Sequence, residues 1–568
     1  MANSNECSDA ILAAWACCEQ AGLHQCAQEG AVFTPPRVAR ALALAGLSRI
    51  PAESTQLSVL DPAAGAGALL LATLEYLLRI RQPLRSLPAS LRPLQSRLAS
   101  LRQLELCAFD LDPRRLDACR AALSTLLPAA SASGLELCLT CRLANGLEEP
   151  WPEIALVVCN PPYLRASRRG NALRNAFSTT TGSFDLFVPF IERAVRALPA
   201  QGLAAFLVPT KLFSADYASA LRALLCREAP PLLLMDLTAD RSFGEQVDVA
   251  LCLFRKERGT RNEERGTTQE RGITQERGAG EGLQGCVLAQ TLEPVEALEQ
   301  AIPPLLETVA PVLSSSVSAR RVGIRELAAS PRWWVDGSER AAALLAQLEQ
   351  QPPALLPWRT GIMGFDYHET LACVQEAQAQ ASLPWEPAPL ALMTPGLLRP
   401  FASLWGQKPL RLGGTRWLRP VLARRPASLS DATWAWFQQP KVLVSGVCRE
   451  LGGYADLKGR CAPLVAVHGV ALDAERILVL SALLSSRLLN WWWRRRFASA
   501  RIPRGSFRVS VSMLEALPVA PQLWSSPLAE LARALHKKPD PGLRQQLDQL
   551  VFDAYGVDER DRTWILEG

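Results

Sequence analysis

The chain has 568 residues, 49% of them hydrophobic and 20% charged. This is the composition of a globular protein with more than one core, and it excludes a disordered or fibrous chain. A net charge of +6 permits a polyanionic partner without requiring one; no apolar run approaches the length that spans a bilayer and no signal peptide opens the sequence, so a soluble cytoplasmic protein with no membrane association is expected.

The fifteen cysteines are scattered through apolar stretches, as reduced core thiols are. Cys138 and Cys141 form a CxxC inside an apparent strand with no second pair, so no metal site is expected. Residues 1–29 read as a short helical arm, with Ile11, Leu12, Trp15 and Ala16 at helical spacing. Phe33-Thr34-Pro35-Pro36 then forms a turn that feeds a helix over 38–44.

Residues 57–60 are a short apolar strand ending in Asp61-Pro62-Ala63-Ala64-Gly65-Ala66-Gly67, before a helix over 68–81. Strand, glycine loop and helix form a nucleotide-site arrangement, because glycine lets backbone approach a ligand closely. The acid at the strand end disfavours a phosphate and favours a cationic or hydroxylated ligand. The next strand, 104–109, ends in Asp110-Leu111-Asp112-Pro113. There an acid either holds ribose hydroxyls or caps the following helix. A third strand, 135–141, precedes Ala144-Asn145-Gly146. The fourth, 154–159, runs into Asn160-Pro161-Pro162-Tyr163, where two prolines stop the ladder. A carboxamide, a proline carbonyl and a phenol are thereby held at a strand's C-terminal end, where open α/β sheets bind ligands.

A basic stretch, 165–181, follows, then an amphipathic helix over 185–198. Strands are predicted at 203–208, 231–237 and 247–255, with Phe243 in the turn before the last. The alternation gives an α/β domain over 30–256: a Rossmann-like, mostly parallel seven-stranded sheet with helices on both faces. Residues 257–283 repeat Glu-Arg-Gly among Thr, Gln and Glu and read as a disordered linker. Helical periodicity resumes over 284–352. A mixed α+β domain occupies 353–523, including a long helix over 474–497 that ends in Arg494-Arg495-Arg496. With Arg504 and Arg508, those arginines have the composition of a DNA-facing surface. Residues 524–568 form C-terminal helices, two of them over 526–556.

In this order, Phe-Thr-Pro-Pro, Asp-Pro-Ala-Ala-Gly-Ala-Gly, a second-strand Asp, Asn-Pro-Pro-Tyr and a long C-terminal domain resemble the gamma class of S-adenosylmethionine-dependent N6-adenine DNA methyltransferases. Segments 440–456, 478–491 and 505–518 follow that family's target-recognition domain, and 551–556 its closing helix in fused restriction–modification members. The resemblance implies a site-specific, adenine-specific DNA methyltransferase of a restriction–modification system, acting on a base flipped out of double-stranded DNA. Phe33, Thr34, Pro35, Asp61, Pro62, Gly65, Gly67, Asp110 and Asn145 would bind S-adenosylmethionine. Asn145 stands where the family usually has Asp, and its carbonyl oxygen can still accept from an adenine amine. Asn160, Pro161, Pro162 and Tyr163 would be catalytic, with Tyr163 and Phe243 stacking on the target base.

Such a protein would be nucleoid-associated, cytosolic and monomeric, with room for a separate restriction endonuclease as partner. Two alternatives stand beside it. One is methylation of RNA or protein glutamine, although those enzymes are usually shorter and lack a comparable second domain. The other is a non-catalytic DNA-binding subunit, supported by Asn145 alone. The residues ahead of Gly30 are too few for a nuclease domain, so no cleavage by this chain is expected.

Overall fold

The computed structural model describes residues 4–23, 33–83, 87–166, 170–240, 243, 248–257, 285–291, 298–307, 317–330, 332–333, 339–361, 371–377, 389–412, 414–502 and 506–567. The 257–283 linker (apart from Glu257), Arg168, Arg169 and Arg504 lie outside them. The chain divides into two units, Met1–Glu339 and Arg340–Gly568.

The first unit is built on one sheet. Its strands are β1 (Gln56–Asp61), β2 (Gln103–Asp110), β3 (Glu136–Leu143), β4 (Leu156–Cys159), β5 (Leu203–Pro209), β6 (Pro231–Asp236), β7 (Val249–Arg255), β8 (Cys286–Thr291) and β9 (Val317–Val322). They lie in the order β3-β2-β1-β4-β5-β7-β6-β8-β9. The sheet is parallel from β3 to β5; β7 runs antiparallel to β5 and β6, and β9 antiparallel to β8. It therefore has nine strands, not the seven expected. The two extra strands, β8 and β9, come from the stretch read as helical, whose period is carried by the helix Leu298–Glu307 between them.

Both faces are buried because successive strand residues alternate between two cores. Val59, Leu106, Val158 and Ala205 join the core of one face, while Leu60, Cys107, Val157 and Phe206 join that of the other. Helices α1 (Ser4–Leu23), α2 (Pro36–Leu47), α3 (Ala68–Arg79) and α4 (Pro113–Ser124) supply the first core through Ile11, Val38, Leu70 and Leu116. Helices α5 (Phe187–Ala197) and α6 (Ser219–Glu228) supply the second through Phe187 and Leu221. Glu75, buried on α3, accepts from Trp15 Nε1 at 2.8 Å and Arg40 Nε at 2.9 Å, tying α1 and α2 to it.

This topology places the site. From β1 the chain moves outward to β2 and β3, then returns to lay β4 on β1's other edge. Strand order thus reverses between β1 and β4, and the crevice beyond their C-terminal ends is where such sheets bind ligands. Asp61 ends β1 and Asn160 follows β4.

In the second unit the stretch read as one long helix is two, Ala474–Ser485 and Arg487–Arg496. Ser486 breaks it: its backbone is extended (φ −71°, ψ 150°) and its hydroxyl caps the second helix by accepting from Leu489 N. The two helices expected over 526–556 are Leu528–Lys537 and Pro541–Ala554, and a third, Glu559–Glu567, follows them. One of the two four-stranded sheets among this unit's described residues centres on Lys441–Ser445, paired to Gly453–Asp456 and Val467–Ala471. Lys441 itself is fully buried and donates to Asp456 at 2.8 Å.

Candidate functional site

The loop after β1 is held open by its own backbone. Ala64 N donates to Phe109 O and Gly67 N to Ala64 O, both at 2.8 Å. Gly65 (φ +54°) and Gly67 (φ +90°) take left-handed conformations that side chains resist. At Gly67 a Cβ would also meet Cys119 Sγ at 2.6 Å, so α4 packs directly beneath this loop.

Asp110 and Asp112 divide the two roles that the sequence left open. Asp112 caps α4, accepting from Arg114 N at 2.9 Å. Asp110 accepts from Gly65 N at 2.8 Å through one oxygen and from Asp112 N at 2.9 Å through the other. It therefore braces the β1 loop against the β2 loop. Asp61 is 1% exposed and accepts from Ala63 N at 3.1 Å. Burial pushes its carboxyl up to about 8, against the opposing pull of that amide, and the nearby Asp110 charge adds to the rise.

The loop after β3 packs over Pro62. A Cβ at Gly146 would lie 2.0 Å from Pro62 O. Gly146→Ala is therefore expected to cost about 1–3 kcal/mol through a forced backbone shift, read as a lower denaturant midpoint at unchanged slope. Asn145 Oδ1 accepts from Leu147 N at 3.1 Å, so the oxygen expected to meet a ligand amine already serves its own turn through one lone pair. Arg193 of α5 fixes this loop from below. It donates to Leu147 O at 2.6 Å and to Glu149 O, and stacks 5.4 Å from the Trp151 ring centroid. Sequence reasoning missed Arg193; on an amphipathic helix that also carries Glu192 and Arg196, nothing in the sequence set it apart.

Asn160 closes the other end. Its Nδ2 donates to Thr34 Oγ1 at 2.9 Å, joining β4 to the segment before α2. This bond fixes the amide plane and makes the Asn160 oxygen its acceptor end. The following residues are held by Leu186 N to Leu164 O and Ala166 N to Phe184 O, both 2.9 Å.

These elements enclose a cavity of about 640 Å³. Phe33, Thr34, Asp61, Pro62, Gly65, Asp110, Asn145, Asn160 and Pro162 all line it, so most of the expected cofactor residues and the motif asparagine share one space. Leu164, Leu186, Phe190 and Arg115 line it too and were not foreseen. Pro35, Gly67, Pro161, Tyr163 and Phe243 are not on its wall. Gly67 instead caps α3 and Pro35 caps α2. Tyr163 and Phe243 rest half-buried against the first-face core. The Tyr163 hydroxyl is sealed from solvent with no partner among the described residues, and burial holds the phenol well above its ordinary value.

The arginines read as DNA-facing are largely occupied within their own unit. Arg495 lies 4.4 Å from the Trp491 ring centroid and 5.2 Å from that of Trp564. Arg496 pairs with Glu349 at 2.8 Å and is 12% exposed. Arg494 donates to Arg449 O at 3.1 Å, and Arg508 is exposed on a short strand. Among the described residues no group of His, Cys, Asp and Glu could hold a metal ion, and no helix is long and apolar enough to cross a membrane.

Residues 153–243, which carry Asn160 to Phe243, match the model of the Eco57I restriction-modification methylase family. No curated protein matches the chain. Among solved structures, the type IIG restriction endonuclease BpuSI is 12% identical, with a TM-score of 0.45 over 96% of this chain and 68% of its own. A nuclease-deletion mutant of the Type ISP restriction-modification enzyme LlaGI, solved with a DNA substrate mimic, is 12% identical, with a TM-score of 0.48 over 89% of this chain and 54% of its own. A type I restriction-modification methyltransferase subunit from Streptococcus thermophilus is 15% identical, with a TM-score of 0.35 over 54% of this chain and 58% of its own.

Proposed function

We propose that the chain transfers a methyl group from S-adenosylmethionine to the N6 amine of an adenine flipped out of double-stranded DNA. One observation carries the reading: a single cavity at the topological switch point is lined by the glycine loop, Asp110 and Asn160. The residues fit the cofactor in kind. Gly65 and the close Gly146–Pro62 approach leave bare backbone for a ligand, and Asp110 is a positioned acceptor for hydroxyls.

Bound S-adenosylmethionine supplies a methyl group on a cationic sulfur, and the protein has to present a nucleophile to it. An exocyclic adenine amine is a poor nucleophile because its lone pair is delocalised into the ring. The Asn160 oxygen and the Pro161 carbonyl would accept from its two hydrogens, favouring a more tetrahedral nitrogen whose lone pair faces the methyl. Thr34 holds the Asn160 amide in the plane this needs, so Thr34 would be a positioning residue. Tyr163 and Phe243, which rest against the first-face core, would have to turn toward the base to offset the cost of flipping, a few kcal/mol, by stacking. Proline and aromatic walls exclude water without any strongly basic group being required. The stretch from about 353 to 523, within the second unit, would read the target sequence, with phosphate contacts setting register.

Transfer of tritiated methyl from cofactor to DNA tests this directly. N6-methyladenine is the expected product. Asn160→Ala should retain cofactor binding and lose about 100-fold or more in rate, the scale of removing a transition-state hydrogen-bonding group. Methylcytosine as product, or an unchanged rate in that variant, would falsify the mechanism.

A further inference from the structure

The second unit contains a cavity of about 1000 Å³ that the methyl-transfer reading does not use. One wall is aromatic. The His536 ring stands edge-on to Phe401 at 5.4 Å and to Tyr454 at 5.9 Å, centroid to centroid. His536 Nε2 lies 3.3 Å from Ser481 Oγ. Burial holds its imidazole below the ordinary value, so at neutral pH this ring is uncharged; the charge here is that of Arg544, whose guanidinium lies 5.4 Å from the Phe401 ring centroid. Trp405 also lines the cavity, its indole fixed by donating to Pro420 O at 3.0 Å.

The lining also includes the turn after the Tyr454 strand, which carries Lys458 and Arg460, both exposed. Neither side chain forms a salt bridge among the described residues. The turn is rigid for a reason: Asp456 accepts from Arg460 N and Cys461 N, each at 2.9 Å, and from the buried Lys441 ammonium. Gly459 (φ +60°) completes it, and a Cβ there would meet Gln438 O at 2.0 Å. A buried ion pair is a costly way to shape a hairpin turn; here it fixes the backbone that carries two exposed cations in the lining of this cavity. Asp456 is engaged as above, and Asp540 caps its helix by accepting from Leu543 N at 2.9 Å; the lining carries Lys458, Arg460 and Arg544 against these two acids and is net positive.

We propose that this cavity binds a nucleoside phosphate, with the base on the Trp405 and Tyr454 rings and the phosphate at Lys458 and Arg460. Planar heteroaromatic rings stack on such side chains in a sequence-tolerant way, and an unpaired cation pair selects an anion beside them. Two sources present this chemistry: a free nucleotide, and a nucleotide displaced from a DNA strand.

Calorimetric titration of the full chain with deoxythymidine 5′-monophosphate tests the proposal, with S-adenosylhomocysteine in excess and again in Asp110→Ala to exclude the first cavity. One-to-one binding is expected, weakened by about tenfold or more in Lys458→Gln/Arg460→Gln and in Trp405→Ala, and retained in Trp405→Phe. If the monophosphate does not bind, the DNA source predicts that a duplex with one unpaired thymine binds more tightly than its fully paired counterpart. Lys458→Gln/Arg460→Gln, a surface change that leaves the core intact, must then erase that difference. No binding in either arm overturns the proposal. So does binding that these variants leave unchanged, or inorganic phosphate binding as tightly as the nucleotide.

Discussion

Asp61→Asn raises the unfolding temperature at pH 8 while weakening cofactor binding. The folded chain holds the Asp61 proton up to about pH 8, because burial disfavours the charged form, whereas the ordinary carboxyl value is 3.8. Between those values the folded state binds a proton that the unfolded state has released, so this group's contribution to stability falls as pH rises from about 4 to 8. The amide has no charge to desolvate and accepts from Ala63 N equally well. Its advantage should therefore be absent near pH 4 and reach a few kcal/mol at pH 8. Thermal unfolding of both chains from pH 4 to 9 reads this as a gap that opens with pH. A constant gap would mean that Asp61 is not the titrating group. The cofactor arm is separate: a buried carboxyl beside a cationic ligand would give up its proton, so affinity for S-adenosylmethionine should increase toward pH 8 in the native chain and lose that slope in the variant. Affinity that is flat with pH in the native chain would separate Asp61 from the cationic part of the cofactor.

Lys441→Met is the most destabilising single change expected in the second unit. The ammonium is fully buried and donates to Asp456 Oδ2, Phe437 O and Gln439 O. Removing one member of a buried pair leaves the other charge unsolvated, at a cost of about 3–5 kcal/mol. Asp456 would remain buried and charged, with only two backbone amides as donors. Adding Asp456→Asn removes that charge but keeps an oxygen for the turn amides, and should restore part of the loss. Urea unfolding of the single and double variants measures both effects. A single-variant loss below about 1 kcal/mol would show that the pair stays hydrated in solution.

Six of the first seven strands could be read from the sequence because they are largely buried, which makes apolar runs; β3, the edge strand, is only partly covered and was legible from its β-favouring alternation alone. Strands β8 and β9 could not, since they are separated by a helix that dominates the local period. The break at Ser486 was hidden as well: apolar residues continue on both sides, and only an extended backbone with a hydroxyl cap reveals it. In the candidate site, motif spacing located Asp61, Asp110 and Asn160, but not which of two neighbouring acids caps a helix. That depends on hydrogen-bond reach rather than on residue type. Arg193, Leu164 and Leu186 enter the site only by folding back from later elements. Arg494 to Arg496 show the limit most directly. Arginine beside tryptophan is the composition of a nucleic-acid surface and equally of cation–π packing, and Arg495 is engaged in the latter.

The bracing role of Asp110 has a thermodynamic corollary. Both of its oxygens hold backbone amides of the β1 and β2 loops, through bonds made entirely within the chain. The ordering of these loops is thus part of folding and not of ligand capture. The heat-capacity change on cofactor binding should then match only the apolar surface that the ligand itself covers, without the larger negative value that accompanies a loop folding around its guest.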